Sequence, residues 1–371
     1  MFTMLLQSLA SMIIGLECLW YFQPHILIDT MGCPFIYPIF KLFGFCNEII
    51  AYIHYPIIST DMLAEVANPR PHHSVKDDPP SLLFQIKSRF KLIYYWLFAL
   101  LYGCIGYFAD VAVVNSSWTE EHIRYLWWMN TRIIRVFPPC NIDSLADIEI
   151  SRPRQRVILS VGQFRPEKDH FLQISAFRRF QHEHPEHSDV KLVIIGGTRN
   201  HQDIDFVRSL FEHSKRFCHG DMRHLFKEIL DDDGGLNREI GGIRFIVDAE
   251  YSTLKRYLSE ASVGLHTMWN EHFGISVVEM MAAGLIVVAH NSGGPKVDII
   301  GDLVETRAAY LAYSSEEYAD SFHRILEANA NQMPELRAKA RTAARRFSDS
   351  AFTTAMLNVV TSSRERIMNI R

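Results

Sequence analysis

Three observations predict a two-domain α/β protein whose second domain is built on a doubly wound parallel sheet. The chain has 371 residues, more than one ordinary domain holds, and about half of them are apolar, enough for two cores. Between residues 156 and 290, short apolar strand-like runs alternate with helix-like stretches, the pattern of a doubly wound parallel sheet. A break at Phe137–Arg156 (FPPCNIDSLADIEISRPRQR) divides this region from an earlier group of strands. The expected organisation is an N-terminal domain over residues 1–150, a second domain over 151–340 and a helical tail over 341–371.

Taken in order, Met1–Trp20 reads either as a signal peptide or as an ordinary core helix. The absence of a basic start, the presence of Glu17 and the run through Pro24 into HILID favour the helix. HILIDT and EIIAYIHYP read as buried parallel strands. Residues 67–80, ANPRPHHSVKDDPP, read as a surface loop. Leu92–Ala109 carries no charge and follows Arg89 and Lys91. Its length sits at the lower limit for spanning a bilayer, so a helix packed in the core or lying on a membrane is favoured over a span. A strand over Asp110–Asn115 follows, then the helix SSWTEEHIRYLWW, capped by Ser116 or Ser117. Beyond the break come the strand VILSV, the helix HFLQISAFRRFQ and the strand KLVIIGG. Another helix with a DDDGG turn leads to the strand IRFIVD and the helix STLKRYLSEA. The strand VGLHTM, the helix ISVVEMMAAG and the strand LIVVAH complete the alternation. Met333–Arg371 reads as helices with Arg and Lys on one face.

The net charge of −4 argues against a general nucleic-acid binder. Six cysteines at wide spacings, with no CxxC pair, predict reduced thiols rather than a zinc or disulfide framework. His182, His184 and His187 flank Pro185 and read as solvated loop residues.

Doubly wound sheets bind ligands outside the carboxyl ends of their strands, so the residues after each strand are the informative ones. After VILSV comes Gly162-Gln163-Phe164-Arg165-Pro166-Glu167-Lys168. The glycine allows a close turn, and the two cations suit a diphosphate. After VGLHTM, Glu271 and Glu279 flank a helix start near Phe273, Gly274 and Ile275. A helix N-terminus suits a phosphate, Glu279 a pair of ribose hydroxyls and Glu271 a sugar. After LIVVAH, Gly293 and Gly294 let backbone approach a ligand. Each loop taken alone is equally well explained as a solvated turn or a structural helix residue. Three such loops on successive strand ends are not.

GQFRPEK, then EHFGISVVE, then NSGGP, with the two acids in E-x7-E spacing, resemble the family 4 retaining glycosyltransferases of GT-B fold. Residues 25–61, with NSSWTEEHI and GQFRPEKDH, are similar to the eukaryotic α-1,2-mannosyltransferases of the dolichol pathway. The resemblance implies two Rossmann-like domains facing across a cleft. It implies transfer of mannose from GDP-mannose to a dolichyl-diphosphate oligosaccharide during N-glycan assembly, on the cytosolic face of the endoplasmic reticulum membrane. Other mannosyltransferases of that pathway become candidate partners. Arg165 and Lys168 would neutralise the leaving diphosphate, so no metal is expected and none is assigned. Asp77–Asp78 and Asp231–Asp233 read as solvated turns. His54, which ends IIAYIH, would contact the transferred sugar or the acceptor; Asp29 and Thr30 rank lower. Family members often carry Arg where Gln163 stands, so Arg165 has to serve. Relative to the family pattern, the chain is expected to start partway into the first domain. That expectation keeps open a rival reading as an inactive, membrane-associated scaffold.

Overall fold

The computed structural model describes residues 3–62, 82–130, 132–216, 227–230 and 236–370. The loop expected over 67–80, with Asp77–Asp78, and the turn at Asp231–Asp233 lie outside the described residues. The chain forms two compact units, Met1–Phe137 with Thr353–Arg371, and Pro138–Phe352.

In the first unit, four parallel strands lie in chain order: β1 (Ile26–Asp29), β2 (Glu48–Ile53), β3 (Val111–Val114) and β4 (Ile133–Arg135). Every residue of β2 and β3 is buried, as expected of parallel strands covered on both faces. The register places Ala51 beside Ala112 and Val113 beside Ile134. One charge in this sheet needs an explanation, because Glu48 is only 5% exposed. Arg366, on the helix Asp349–Ile370, pairs with it and supplies the countercharge that a buried carboxylate requires. The stretch CPFIYPIF forms a single 3-10 turn and the short helix Tyr37–Leu42. Ser116 is the cap of the helix Ser117–Leu126, its Oγ accepting from Thr119 N at 3.1 Å.

Two long helices are two-faced. Thr3–Tyr21 packs against the Pro34–Ile36 turn, yet leaves Leu6, Ile13, Ile14, Leu16 and Trp20 exposed. By length and composition its Met4–Tyr21 portion is apolar enough to cross a membrane. Leu82–Gly106 buries Phe98, Ala99 and Tyr102 and exposes Phe90, Ile93, Trp96, Leu97 and Leu100.

The second unit holds an eight-stranded sheet in the order β12-β11-β10-β5-β6-β9-β8-β7. The parallel strands are β5 (Gln155–Val161), β6 (Lys191–Gly196), β9 (Ile243–Val247), β10 (Ala261–Leu265), β11 (Ile286–His290) and β12 (Ala309–Ala312). Their order is the 3-2-1-4-5-6 winding of a dinucleotide-binding sheet. β7 (Lys227–Leu230) and β8 (Leu236–Ile240) run antiparallel on the β9 edge. The sequence pattern predicts only a helix and a turn there. The helix is present (His201–Lys215), and the hairpin corrects the rest. Its strands, KEIL and LNREI, are short and charged, so no apolar run announces them. Phe177, Phe180, Phe245 and Phe322 fill the core against Ile158, Ile194 and Val263. A second correction concerns His187, which is 2% exposed and stacks on Phe180 instead of facing solvent.

Candidate active site

The winding itself points to the site. β5 and β10 are neighbours. The chain leaves β5 through the helix His170–Glu183 toward β6, and leaves β10 through the helix Ile275–Ala282 toward β11. The connections diverge between these two strands, which opens a crevice at their carboxyl ends.

The β5 loop passes Gly162, forms a short turn over Pro166–Lys168, and ends at Asp169. Asp169 adopts a left-handed conformation (φ 46°) and caps the next helix, its Oδ1 accepting from Leu172 N at 3.2 Å. The β10 loop is stitched to it: Thr267 Oγ1 donates to Lys168 O at 2.7 Å and accepts from Gln173 Nε2 at 2.9 Å. This fixes the base of the Lys168 side chain, whose Nζ meets Glu271 Oε2 at 2.5 Å. The same oxygen lies 3.2 Å from Nε2 of His266, a residue only 4% exposed. Burial works to raise the pKa of Glu271. The hydrogen bond from His266 and the positive charges of His266 and Lys168 outweigh it, and hold the carboxyl well below the usual range. The site therefore presents a fixed carboxylate beside a fixed ammonium.

The NSGGP loop completes the arrangement. Ser292 Oγ accepts from Asn270 N at 2.8 Å, and Gly294 N donates to Glu271 O at 2.8 Å. Gly293 has φ +59°, and a Cβ there would stand 2.4 Å from Glu271 O. A Cβ on Gly294 would stand 2.6 Å from Phe273 Cα. The two glycines thus let one loop lie flush against the backbone of Glu271–Phe273.

Gly274 enters the next helix at φ +111°, and Ile275 is exposed at its first turn. Phe273 is buried against Phe347, ring centroids 5.2 Å apart. Glu279 sits in the second turn, half-buried, with no hydrogen-bond or ion-pair partner among the described residues. Burial pushes its pKa up. Arg165 is half-exposed and 3.6 Å from Glu167, outside the Lys168–Glu271 network.

His54 belongs to the other unit. It follows the end of β2, its Nε2 3.1 Å from Thr30 O, and is exposed. Asp29 is a turn former, accepting from Met31 N and Cys33 N at 2.8 Å and from the Tyr37 hydroxyl at 2.6 Å.

The structure thus brings together Lys168, Glu271, Gly293, Gly294 and Phe273, and adds residues the sequence reading passed over: His266, Thr267, Gln173 and Ser292. His266 and Thr267 were available to the rule applied elsewhere, since they follow β10 directly. In the sequence pattern they run on without a break from the strand VGLHTM. His290 ends β11, with its Nδ1 2.8 Å from Ser292 Oγ. Burial, with the His266 charge, pulls its pKa down to about 4.

Among solved structures, the chain resembles an α,α-trehalose 6-phosphate synthase from Burkholderia multivorans. The TM-score is 0.68 at 14% identity, covering 98% of this chain and 77% of that one. It also resembles the HepE protein of Anabaena, solved with UDP and glucose: TM-score 0.61 at 15% identity, 95% of this chain and 81% of that one. At such identity the likeness concerns fold, and the fold is that of the GT-B glycosyltransferases. Residues 142–347 match the family described as glycosyl transferases group 1. Residues 1–127 match the ALG11 mannosyltransferase N-terminus. A mouse protein named GDP-Man:Man(3)GlcNAc(2)-PP-Dol alpha-1,2-mannosyltransferase is 42% identical over 96% of this chain and 69% of its own length. A protein of that name from Dictyostelium discoideum is 38% identical, over 97% and 68%. The chain belongs to the ALG11 mannosyltransferase family.

Proposed function

We propose that this chain is a retaining α-1,2-mannosyltransferase that moves mannose from GDP-mannose to a dolichyl-diphosphate-linked oligosaccharide. The work would take place at the endoplasmic reticulum membrane, on its cytosolic face. The observation that carries the reading is the 42% identity, across 96% of the chain, to a protein whose name states that donor, acceptor and linkage. The Lys168–Glu271 pair at the switch point supports the same chemistry.

In the transfer, the bond between the anomeric carbon and the diphosphate breaks, and negative charge grows on the departing GDP. Lys168, with Arg165, neutralises that charge, and fixed cations at a developing anion are effective because they need no reorganisation. This role makes a divalent metal unnecessary for donor binding. Glu271 holds a hexose hydroxyl and Glu279 the ribose. No carboxylate nucleophile is assigned. His54 is assigned to the acceptor.

Calorimetry with excess chelator tests the donor assignment. GDP and GDP-mannose should bind undiminished, and UDP weakly. A strict metal requirement or a preference for UDP-sugars would overturn it. Turnover with a short lipid-linked mannoside, followed by linkage analysis of the product, tests the reaction and would expose an inactive scaffold.

A further inference from the structure

In the second sheet, the helices run back antiparallel to the strands. The turn after His170–Glu183 therefore lies at the edge where the strands begin, opposite the Lys168–Glu271 crevice. The helix Ser315–Leu326 follows β12 and ends at that same edge. The two helices pack together there, and three metal-ligating side chains converge. His184 Nδ1 is 3.2 Å from Glu186 Oε1. The rings of His184 and His323 stack at 3.8 Å with an 8° tilt. One ligand atom from each of His184, Glu186 and His323 falls within 4.8 Å of the other two.

A tetrahedral zinc ion with nitrogen and oxygen ligands holds neighbouring ligand atoms about 3.3–3.5 Å apart. The His184–Glu186 spacing already meets this. His323 has to turn out of its stack on His184, so that both rings aim an in-plane nitrogen at one ion, and to close by up to about 1.5 Å; a rotation of this incompletely buried ring allows both. The surroundings also suit a ligating imidazole. Arg156 donates to His187 Nδ1, so neutral His187 keeps its proton on Nε2. That nitrogen lies 3.3 Å from His323 Nδ1 and 3.4 Å from Glu327 Oε1. Glu327 gives the proton a second acceptor, which leaves His323 free for a metal. His187 is therefore an orienting neighbour rather than a ligand.

We propose that His184, Glu186 and His323 form a site for a zinc-class divalent ion that clamps the turn after one helix to the last turn of another, with water completing the coordination. Standing on the edge opposite the crevice, the ion takes no part in transfer. The clamp also stands independently of the donor and acceptor assignments.

The test uses the full chain without a histidine tag, stripped by chelator and titrated with Zn2+ during thermal unfolding. Zinc at about 100 times its Kd should raise Tm by roughly 5–10 °C, and His184→Gln with His323→Gln should abolish the rise. Co2+ should give the visible absorption of a tetrahedral site, weakened in Glu186→Gln, which retains both rings should the histidine variants fold poorly. A Tm that ignores zinc, a zinc shift that survives in the double variant, or a cobalt spectrum unchanged in Glu186→Gln would each overturn the proposal.

Discussion

In the first unit, the helix Thr3–Tyr21 leaves Ile13 68% and Trp20 86% exposed, and Leu82–Gly106 adds Ile93, Trp96, Leu97 and Leu100. In the second unit, large apolar residues reach the surface singly, as Tyr251, Ile275 and Val297 do. Scattered exposure of that kind is ordinary, whereas rows of it along two helices mark a surface that meets something apolar. The second unit instead holds a paired, largely buried charge cluster at its crevice, where Lys168 and His266 close on Glu271. The contrast matches the two proposed substrates: a nucleotide sugar dissolved in water, and an oligosaccharide carried on a lipid. A single chain can thus be built with one half adapted to each phase.

The largest effect that would sharpen this division is catalytic. Lys168→Ala should lower turnover by roughly 30- to 1,000-fold through lost stabilisation of the leaving diphosphate, with vesicle binding unchanged. Glu271→Gln should act mainly on kcat and Glu279→Gln mainly on donor KM, because a hexose contact changes during transfer and a ribose contact does not. Unaltered kinetics in all three would leave the crevice without a function.

The next effect falls on the other half. Trp96→Asp with Leu100→Asp should weaken binding to anionic vesicles by at least about 100-fold, given roughly 1.5–3 kcal/mol for each of the two large apolar side chains withdrawn from water. GDP affinity, measured alongside, should not move. Protein that never sediments with vesicles would break the comparison at its root.

Two smaller effects concern the second unit alone. Gly293→Ala places a Cβ at positive φ against Glu271 O and should cost about 1–3 kcal/mol in denaturant unfolding. Smallest is the pH effect at Glu279. Its folded pKa is raised by burial, so ionisation opposes folding, and stability from this group is lost as pH rises from the ordinary carboxylate value through the folded one. Glu279→Gln should be slightly more stable than the parent at pH 7, and the advantage should vanish as the pH falls below the ordinary carboxylate value. A Gln variant less stable at neutral pH would mean that the carboxylate has a partner in solution.

Much of this was legible in the chain. The buried parallel strands announced themselves as unbroken apolar runs, and the loops bearing Lys168, Glu271 and Gly293 followed from asking what stands after each strand. The rest depended on pairings that only folding creates. His184 and His323 lie far apart in sequence, and Arg366 finds Glu48 from near the opposite end of the chain. The edge hairpin of β7 and β8 escaped because charged edge strands look like loops. The glycines of NSGGP were visible, but their neighbour, the Glu271 backbone, was not.

The sharing of one oxygen has a consequence for selectivity. An ionised carboxylate is acceptor-only, with lone pairs on both oxygens. Lys168 and His266 both occupy Oε2 of Glu271, and among the described residues nothing occupies Oε1. A sugar meeting Glu271 through that oxygen must bring a hydrogen to it. A deoxy analogue at the contacted position leaves the oxygen unanswered, and a fluoro analogue sets one lone pair against another. Fluorine and hydroxyl are similar in size, so the polarity of the bond, more than the space available, decides between them.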